Sequence, residues 1–127
     1  MTTAVLDSSA LLAFLLNEPG ADVVRTALGD SEISSINYSE VVERGKAKGL
    51  DTSSLRGRLA SYGLTVVSFT ADDAEATAAL WTATQAYGLS LADRACLAFA
   101  LARQVPVYTA DRPWSRVNVG VDVRMIR

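Results

Sequence analysis

Four carboxylates lie where apolar strand patterns end or where helical patterns begin. Asp7 directly follows the apolar segment Thr3–Leu6, and Asp111 follows a second apolar segment near the C-terminus. Glu40 and Asp93 each fall in the first turn of a predicted helix. Oxygen ligands without nitrogen or sulfur are typical of sites for Mg²⁺ or Mn²⁺ rather than Zn²⁺. A divalent cation would also remove the repulsion between carboxylates that lie a few ångströms apart.

Each carboxylate also has a purely structural explanation. Asp7 suits the N-cap of the helix that follows it, and Asp111 suits an Asx turn or an N-cap ahead of a proline. Glu40 and Asp93 each suit the third helical position of a capping box with the polar residue three positions earlier. For one acid alone, capping is the simpler explanation. The metal site is favoured because a parallel sheet would bring all four acids to the same edge.

The composition restricts the available chemistry. The chain has 127 residues, no histidine and one cysteine. Without histidine, Ser-His-Asp and Cys-His catalysis and zinc sites built from His and Cys are excluded. Any catalysis must therefore rely on carboxylates or on a hard cation. Cys96 has no partner for an internal disulfide and lies in an apolar helical segment, so we expect it to be a small core residue.

The charge of the chain is unevenly distributed. The net charge is −2, which by itself does not indicate a nucleic-acid partner. Between Arg44 and Arg58, however, five basic residues stand against one acid, Asp51, for a local charge of +4. This stretch is either a solvated helical face or a phosphate-binding surface. Neutralising the four carboxylates would change the net charge of the chain from −2 to +2.

The hydrophobic pattern alternates between strand and helix periods. Strands are predicted at Thr3–Leu6, Ile33–Ser35, Leu64–Phe69 and Val105–Thr109, followed by an alternating edge strand within 117–125. Helices are predicted at Ala10–Leu16, Ala21–Leu28, Tyr38–Lys48, Asp51–Tyr62, Ala71–Tyr87 and Leu91–Ala102. The N-caps of the third, fifth and sixth helices are predicted to be Asn37, Thr70 and Ser90.

This alternation predicts an α/β fold in one domain, residues 1–127. We expect a three-layer α/β/α sandwich around a mainly parallel sheet with right-handed crossovers. Ligands of such sheets bind outside the carboxyl ends of the strands, and the first turns of the following helices lie at the same edge. The four acids then converge on one cleft if the first and fourth strands are neighbours.

The segments around the acids resemble the four acidic motifs of PIN domains. These segments are Val5–Leu11, Ser39-Glu40, Leu91–Asp93 and Thr109–Arg112. Length and motif order most resemble VapC-type ribonuclease toxins of type II toxin–antitoxin modules, over essentially the whole chain. The resemblance implies a Mg²⁺-dependent endoribonuclease, with Mn²⁺ as the alternative ion.

The resemblance also implies roles for particular residues. The metal would be bound, directly or through water, by the catalytic set Asp7, Glu40, Asp93 and Asp111. Ser9 and Thr109 would be supporting hydroxyls, and Glu43, one helical turn after Glu40, is left outside the set.

Four further side chains are candidates for substrate contacts. Arg112 and Arg116 are candidate phosphate ligands. Trp114 and Tyr38 are candidates for stacking on unpaired bases, although packing in the core is the simpler expectation for both.

The partners implied by the resemblance are an RNA substrate and a VapB-type antitoxin whose C-terminal segment crosses the active-site groove. Helices Ala10–Leu16 and Ala21–Leu28 have more apolar surface than one small sheet face needs, so we expect part of it to form a homodimer interface and part to receive the antitoxin. No apolar run approaches the ~18 residues of a membrane span, and no basic residue precedes Arg25. We therefore expect a cytoplasmic protein.

Two other functions remain open. A non-catalytic PIN-like module for RNA binding or protein interaction would bind its partner equally well with and without metal. A phosphoacceptor receiver domain would need a second acid beside Asp7 and a lysine near the last strand. The only lysines are Lys46 and Lys48, which disfavours a receiver domain.

Overall fold

A five-stranded parallel sheet organises the chain in the computed structural model, which describes all residues from Met1 to Arg127. The strands are β1 (Ala4–Leu6), β2 (Ser31–Ser34), β3 (Leu64–Val67), β4 (Val107–Thr109) and β5 (Val123–Met125). The α-helices are α1 (Ser8–Leu15), α2 (Ala21–Ala27), α3 (Ser35–Ala47), α4 (Leu55–Ser61), α5 (Ala71–Ala79), α6 (Trp81–Thr84) and α7 (Leu91–Arg103). Two 3₁₀ helices complete the fold, the first at Gln85–Tyr87 and the second at Arg112–Arg116.

The strand order is β3-β2-β1-β4-β5, and every neighbouring pair is parallel. The predicted α/β/α sandwich is confirmed, with a sheet that is wholly rather than mainly parallel. β1 is fully buried at the centre, and the direction of strand progression reverses between it and β4. Ligands of open α/β sheets bind at this kind of reversal. The neighbouring positions of β1 and β4 meet the condition under which the acids can converge.

Two apolar cores cover the sheet. Side chains alternate across a strand, so Leu6 joins the core that contains α1, α2 and α4, whereas Val5 joins the core built on α7 and β4. Cys96 is completely buried in the second core, as predicted. None of the helices is both long and apolar enough to cross a membrane.

Two predicted elements differ most from the structure, whereas most of the others differ by two to four residues at one end. The helix predicted at Ala71–Tyr87 is divided into α5, α6 and the first 3₁₀ helix. Thr77 and Thr84 donate their hydroxyl protons to the carbonyls four residues earlier, a pattern that bends helices. The C-terminal strand is limited to β5, because β4 offers only three residues for pairing and Gly120, with φ +87°, interrupts the extended backbone ahead of β5.

Much of the apolar surface of the N-terminal helices is covered by the fold, although Phe14, Leu15 and Leu16 are only partly buried, and the predicted dimer and antitoxin contacts there stay predictions. α1 and α2 pack against each other as well as against the sheet, and their large apolar side chains join the first core. Only Val23 stays exposed among them, at 41%. The other exposed large apolar side chains include Trp81, Leu91 and Leu101, which lie on α6 and α7.

Candidate functional site

Asp7 lies at the carboxyl end of β1 with only 1% of its surface exposed. Its backbone carbonyl accepts the N–H groups of Ala10 and Leu11, so the residue occupies the N-cap position of α1. The carboxylate makes no capping bond. Instead, Oδ2 accepts the hydroxyl protons of Ser9 at 2.6 Å and Thr109 at 2.9 Å. Capping therefore does not explain the Asp7 side chain.

The two hydroxyls are themselves held in place by backbone donors. Ser9 Oγ accepts the N–H of Ala110 at 2.9 Å, and Thr109 Oγ1 accepts the N–H of Asp111 at 3.0 Å. Each hydroxyl has one proton and donates it in the hydrogen bond to Asp7. The two hydroxyl oxygens, 3.2 Å apart, are therefore in contact but have no proton left to form a hydrogen bond with each other. The hydrogen bonds from the two hydroxyls both end on Oδ2 of Asp7. Its other oxygen, Oδ1, accepts no hydrogen bond from the protein.

Glu40 extends from α3 and is held from three sides. Its Oε1 accepts the Ser8 hydroxyl at 2.9 Å and the Asn37 side-chain amide at 3.5 Å. Its Oε2 pairs with Arg44 at 3.4 Å. The predicted capping box with Asn37 as N-cap is wrong, because Ser34 caps α3 and accepts the Asn37 backbone N–H. Glu40 is therefore free of the helix terminus and its carboxylate bonds to side chains.

Asn37 links α3 to α7. It is completely buried; its Oδ1 accepts the Ser34 hydroxyl at 2.6 Å, and its Nδ2 donates to the carbonyl of Ala92 at 3.0 Å. That carbonyl lies in the first turn of α7, next to Asp93. Sequence reasoning missed the positioning roles of Ser8, Ser34 and Asn37. The available signal was the short polar side chains next to Asp7 and ahead of Glu40, since buried polar groups must find partners.

Asp93 does form the predicted capping box. Its Oδ2 accepts the backbone N–H of Ser90 at 3.0 Å, and its own N–H donates to Ser90 Oγ at 3.1 Å. No hydrogen bond reaches Oδ1, so the cap occupies one oxygen and leaves the other. Asp111 precedes the second 3₁₀ helix, is exposed, and makes no side-chain capping bond.

The carboxylates act on one another electrostatically. Burial raises the pKa of Asp7 to about 6; the Ser9 and Thr109 hydrogen bonds oppose this shift, and the charges of Asp111 and Asp93 add to it. Partial desolvation and then the charge of Asp93 raise the pKa of Asp111 above its usual range, with Arg44 opposing them and Glu40 adding a smaller increase. Asp7 is thus influenced by the charges of Asp93 and Asp111, and Asp111 by those of Asp93 and Glu40.

The family model of the PIN domain matches residues 4–120 of the sequence. The chain belongs to the PIN domain family. No curated protein matches the sequence significantly.

Solved structures share the fold of this PIN domain. A chain of a toxin–antitoxin complex from Klebsiella pneumoniae is 24% identical, with 98% of each chain covered and a TM-score of 0.74. A chain of DNA-bound VapBC from Salmonella typhimurium is 18% identical, with 100% of each chain covered and a TM-score of 0.70. A chain of VapBC2 from Rickettsia felis, bound to a promoter DNA fragment, is 18% identical over 98% of each chain, with a TM-score of 0.65. At these identities the likeness is one of fold.

The acids of this PIN domain are compatible with a hydrated ion rather than with an enclosed one. No three of its acidic or cysteine side chains come close enough together to hold a metal ion between them. Mg²⁺ usually keeps several waters and takes one or two carboxylates together with substrate phosphates. Asp7 Oδ1, which has no protein partner, is a hard oxygen of the type that Mg²⁺ or Mn²⁺ selects.

The candidate substrate residues of the PIN domain divide into two groups. Arg112 and Arg116 are exposed and make no ion pair, whereas Arg44 is paired with Glu40. Trp114 packs in the second core with 1% of its surface exposed, which is the simpler of the two expectations, and the ring is not accessible for stacking on a base. Tyr38 is half-buried against the first core.

Proposed function

We propose that this PIN domain is a Mg²⁺- or Mn²⁺-dependent endoribonuclease and the toxin of a VapBC-type toxin–antitoxin module. Asp7 carries the proposal. It is a carboxylate in a buried position, no cation neutralises it, two hydroxyls orient it, and one of its oxygens has no protein partner. Burying such a group costs free energy that a purely structural residue would not require. A bound divalent cation would offset that cost.

In this proposal, Asp7, Glu40, Asp93 and Asp111 hold the ion, in part through water. The bound ion would supply Lewis-acid stabilisation of the scissile phosphate and lower the pKa of a water nucleophile. Ser9 and Thr109 keep Asp7 in a single orientation, and Ser8 and Asn37 do the same for Glu40. Attack by water would leave 5′-phosphate and 3′-hydroxyl ends on the RNA.

The proposed partner is a VapB-type antitoxin, supported by the toxin–antitoxin and VapBC complexes that share the fold. We place the reaction in the cytoplasm, where such an antitoxin and cellular RNA would both be found. We also propose a homodimer, for which exposed Trp81, Leu91 and Leu101 offer apolar surface outside the core. Size-exclusion chromatography with light scattering tests the dimer, and a clean monomer at tens of micromolar would contradict it.

The nuclease is tested by incubating a structured RNA with the purified protein in Mg²⁺, Mn²⁺ or EDTA. We expect cleavage only with the ions, 5′-phosphate ends on the products, and no cleavage by Asp7→Asn. The control is Glu75→Gln, which removes an exposed charge from α5 and should leave cleavage unchanged. Full activity in EDTA, or full activity of Asp7→Asn, would refute the mechanism.

A non-catalytic RNA-binding module is the second candidate. It is favoured by the capping role of Asp93 and by the absence of three closely grouped acids. Such a module would bind RNA equally with and without Mg²⁺, would show no cleavage under any condition, and would retain its affinity after Asp7→Asn.

A further inference from the structure

We infer that the cleft between the two 3₁₀ helices is a nucleotide subsite, which holds a phosphate and a base of single-stranded RNA beside the acids. This inference rests on the proposed function, and it identifies the surface that the RNA chain would follow next to the four acids. The cleft has a volume of about 470 Å³ and is lined by Ala86 and Tyr87 from the first 3₁₀ helix and by Arg112, Pro113, Ser115 and Arg116 from the second.

The cleft contains two guanidinium groups that the protein does not use. Five of the ten arginines form ion pairs, namely Arg25, Arg44, Arg103, Arg124 and Arg127. Two more, Arg58 and Arg94, donate to backbone carbonyls. Arg112 and Arg116 do neither, and the third such arginine, Arg56, lies on α4. No acid lines the cleft, so its two free guanidinium groups can both donate hydrogen bonds to one phosphodiester of an RNA chain.

The cleft adjoins two of the four acids through the chain itself. Arg112 directly follows Asp111, and the first 3₁₀ helix ends at Tyr87, shortly before the N-cap of the helix that carries Asp93. The segments that lead to the acids therefore also form the walls of the cleft. An RNA chain whose scissile phosphate lies at the acids would place a neighbouring nucleotide here.

Aromatic packing fixes both walls. Tyr87 is half-buried against the second core while it lines the cleft. Trp114, between the two arginines in sequence, is buried in the same core and anchors the second 3₁₀ helix. An aromatic ring beside a phosphate-binding pair is the arrangement that single-strand binding proteins use, because every base can stack on a ring. An acidic peptide would use the arginines but would have no need of the tyrosine.

The test measures binding without cleavage. A fluorescein-labelled single-stranded RNA of about twelve nucleotides is titrated with protein in EDTA, and the anisotropy gives Kd at several salt concentrations. Combining Arg112→Gln with Arg116→Gln should weaken binding by about tenfold or more and lower the salt slope by about 0.7, since the two arginines share one phosphate and each phosphate contact contributes roughly 0.7 on single strands. The control combines Arg25→Gln with Arg124→Gln, which has the same net charge; both arginines are exposed and lie outside the cleft.

The tyrosine is tested by a matched pair. Tyr87→Phe should keep Kd within about twofold, and Tyr87→Leu should weaken binding by about fivefold or more, since leucine keeps an apolar side chain against the second core but has no ring on which a base can stack. An unchanged Kd and salt slope for the arginine variant, or equal losses for the control, would overturn the subsite, as would oligoglutamate competing as well as RNA. If cleavage fails while the arginine and tyrosine effects persist, the nuclease proposal fails and the subsite stands. If cleavage proceeds with unchanged kcat and KM in the arginine variant, the subsite alone fails.

Discussion

Replacing Asp7 by asparagine should stabilise the protein at neutral pH in the absence of divalent cations. The substitution keeps the shape of the side chain, and the asparagine oxygen can accept the Ser9 and Thr109 hydroxyls in place of Oδ2. What it removes is a negative charge in a position that is 1% exposed. The expected gain is therefore the free energy that ionisation of Asp7 costs in the folded state.

The magnitude follows from the raised pKa. Between the usual value of 3.8 and about 6, the folded protein holds a proton on Asp7 that the unfolded chain releases. Stability from this group is thus fully present below pH 3.8 and is lost as the pH rises through about 6. At roughly 1.4 kcal/mol per pKa unit, the full loss is about 3 kcal/mol. Asp7→Asn should therefore match the wild type near pH 4 and exceed its stability by up to about 3 kcal/mol near pH 8.

Urea unfolding in EDTA, followed by tryptophan fluorescence, measures this difference. Trp114 is buried and will report the loss of the core. Glu75→Gln, which removes an exposed charge, should show no such pH-dependent gain. Mg²⁺ should stabilise the wild type and leave Asp7→Asn unchanged. If Asp7→Asn is no more stable than the wild type near pH 8, the carboxylate belongs to the structure rather than to a ligand, and the reasoning is refuted.

Three further predictions concern the surroundings of Asp7 and the second core. Asp93→Asn should keep stability within about 0.5 kcal/mol, because the asparagine side-chain oxygen can accept the Ser90 N–H in place of Oδ2, and should abolish RNA cleavage; retained cleavage would leave Asp93 with only its capping role. Thr109→Val should cost about 1–3 kcal/mol in urea unfolding, since Asp7 loses a donor and the Asp111 N–H loses its acceptor; Thr109→Ser should recover most of that loss, and equal losses for both would disprove it. Trp114→Ala should cost about 3–5 kcal/mol through a cavity in the second core, whereas a cost under about 1 kcal/mol would contradict its role as the anchor of the second 3₁₀ helix.

The sheet could be predicted because its signal is local and strong. The apolar run of β1 ending at Asp7 indicated a central parallel strand, and the structure buries all of that strand. The break of the long helix near Leu80 could not be predicted, because it depends on whether the Thr77 and Thr84 hydroxyls bond to their own helix. The length of β5 was equally hidden, since it is set by how many residues β4 offers to its neighbour.

Sequence reasoning found the contacts around Asp7 that are local in the chain and missed those that join distant segments. Ser9 is two residues from Asp7, and their pairing is local. Ser8 and Glu40, however, are 32 residues apart, and Asn37 reaches the carbonyl of Ala92 across 55 residues. Such bonds depend on how α1, α3 and α7 pack, which no local pattern encodes. The capping box predicted for Glu40 was wrong for another reason. The helix begins at Ser35, three residues earlier than the polar pattern indicates, so Ser34 and not Asn37 is its N-cap.

The four acids are not equivalent, and their partners show why. Glu40 is already paired with Arg44, Asp93 gives one oxygen to its capping box, and Asp111 is exposed to solvent. Each of these three therefore has a cation, a backbone donor or solvent beside its carboxylate. Asp7 alone is buried without a counter-charge, and its two hydroxyl donors do not fully offset the desolvation that raises its pKa. The free energy of a cation bound at this edge should therefore depend most on Asp7, with the other three adjusting the charge around the ion and its waters.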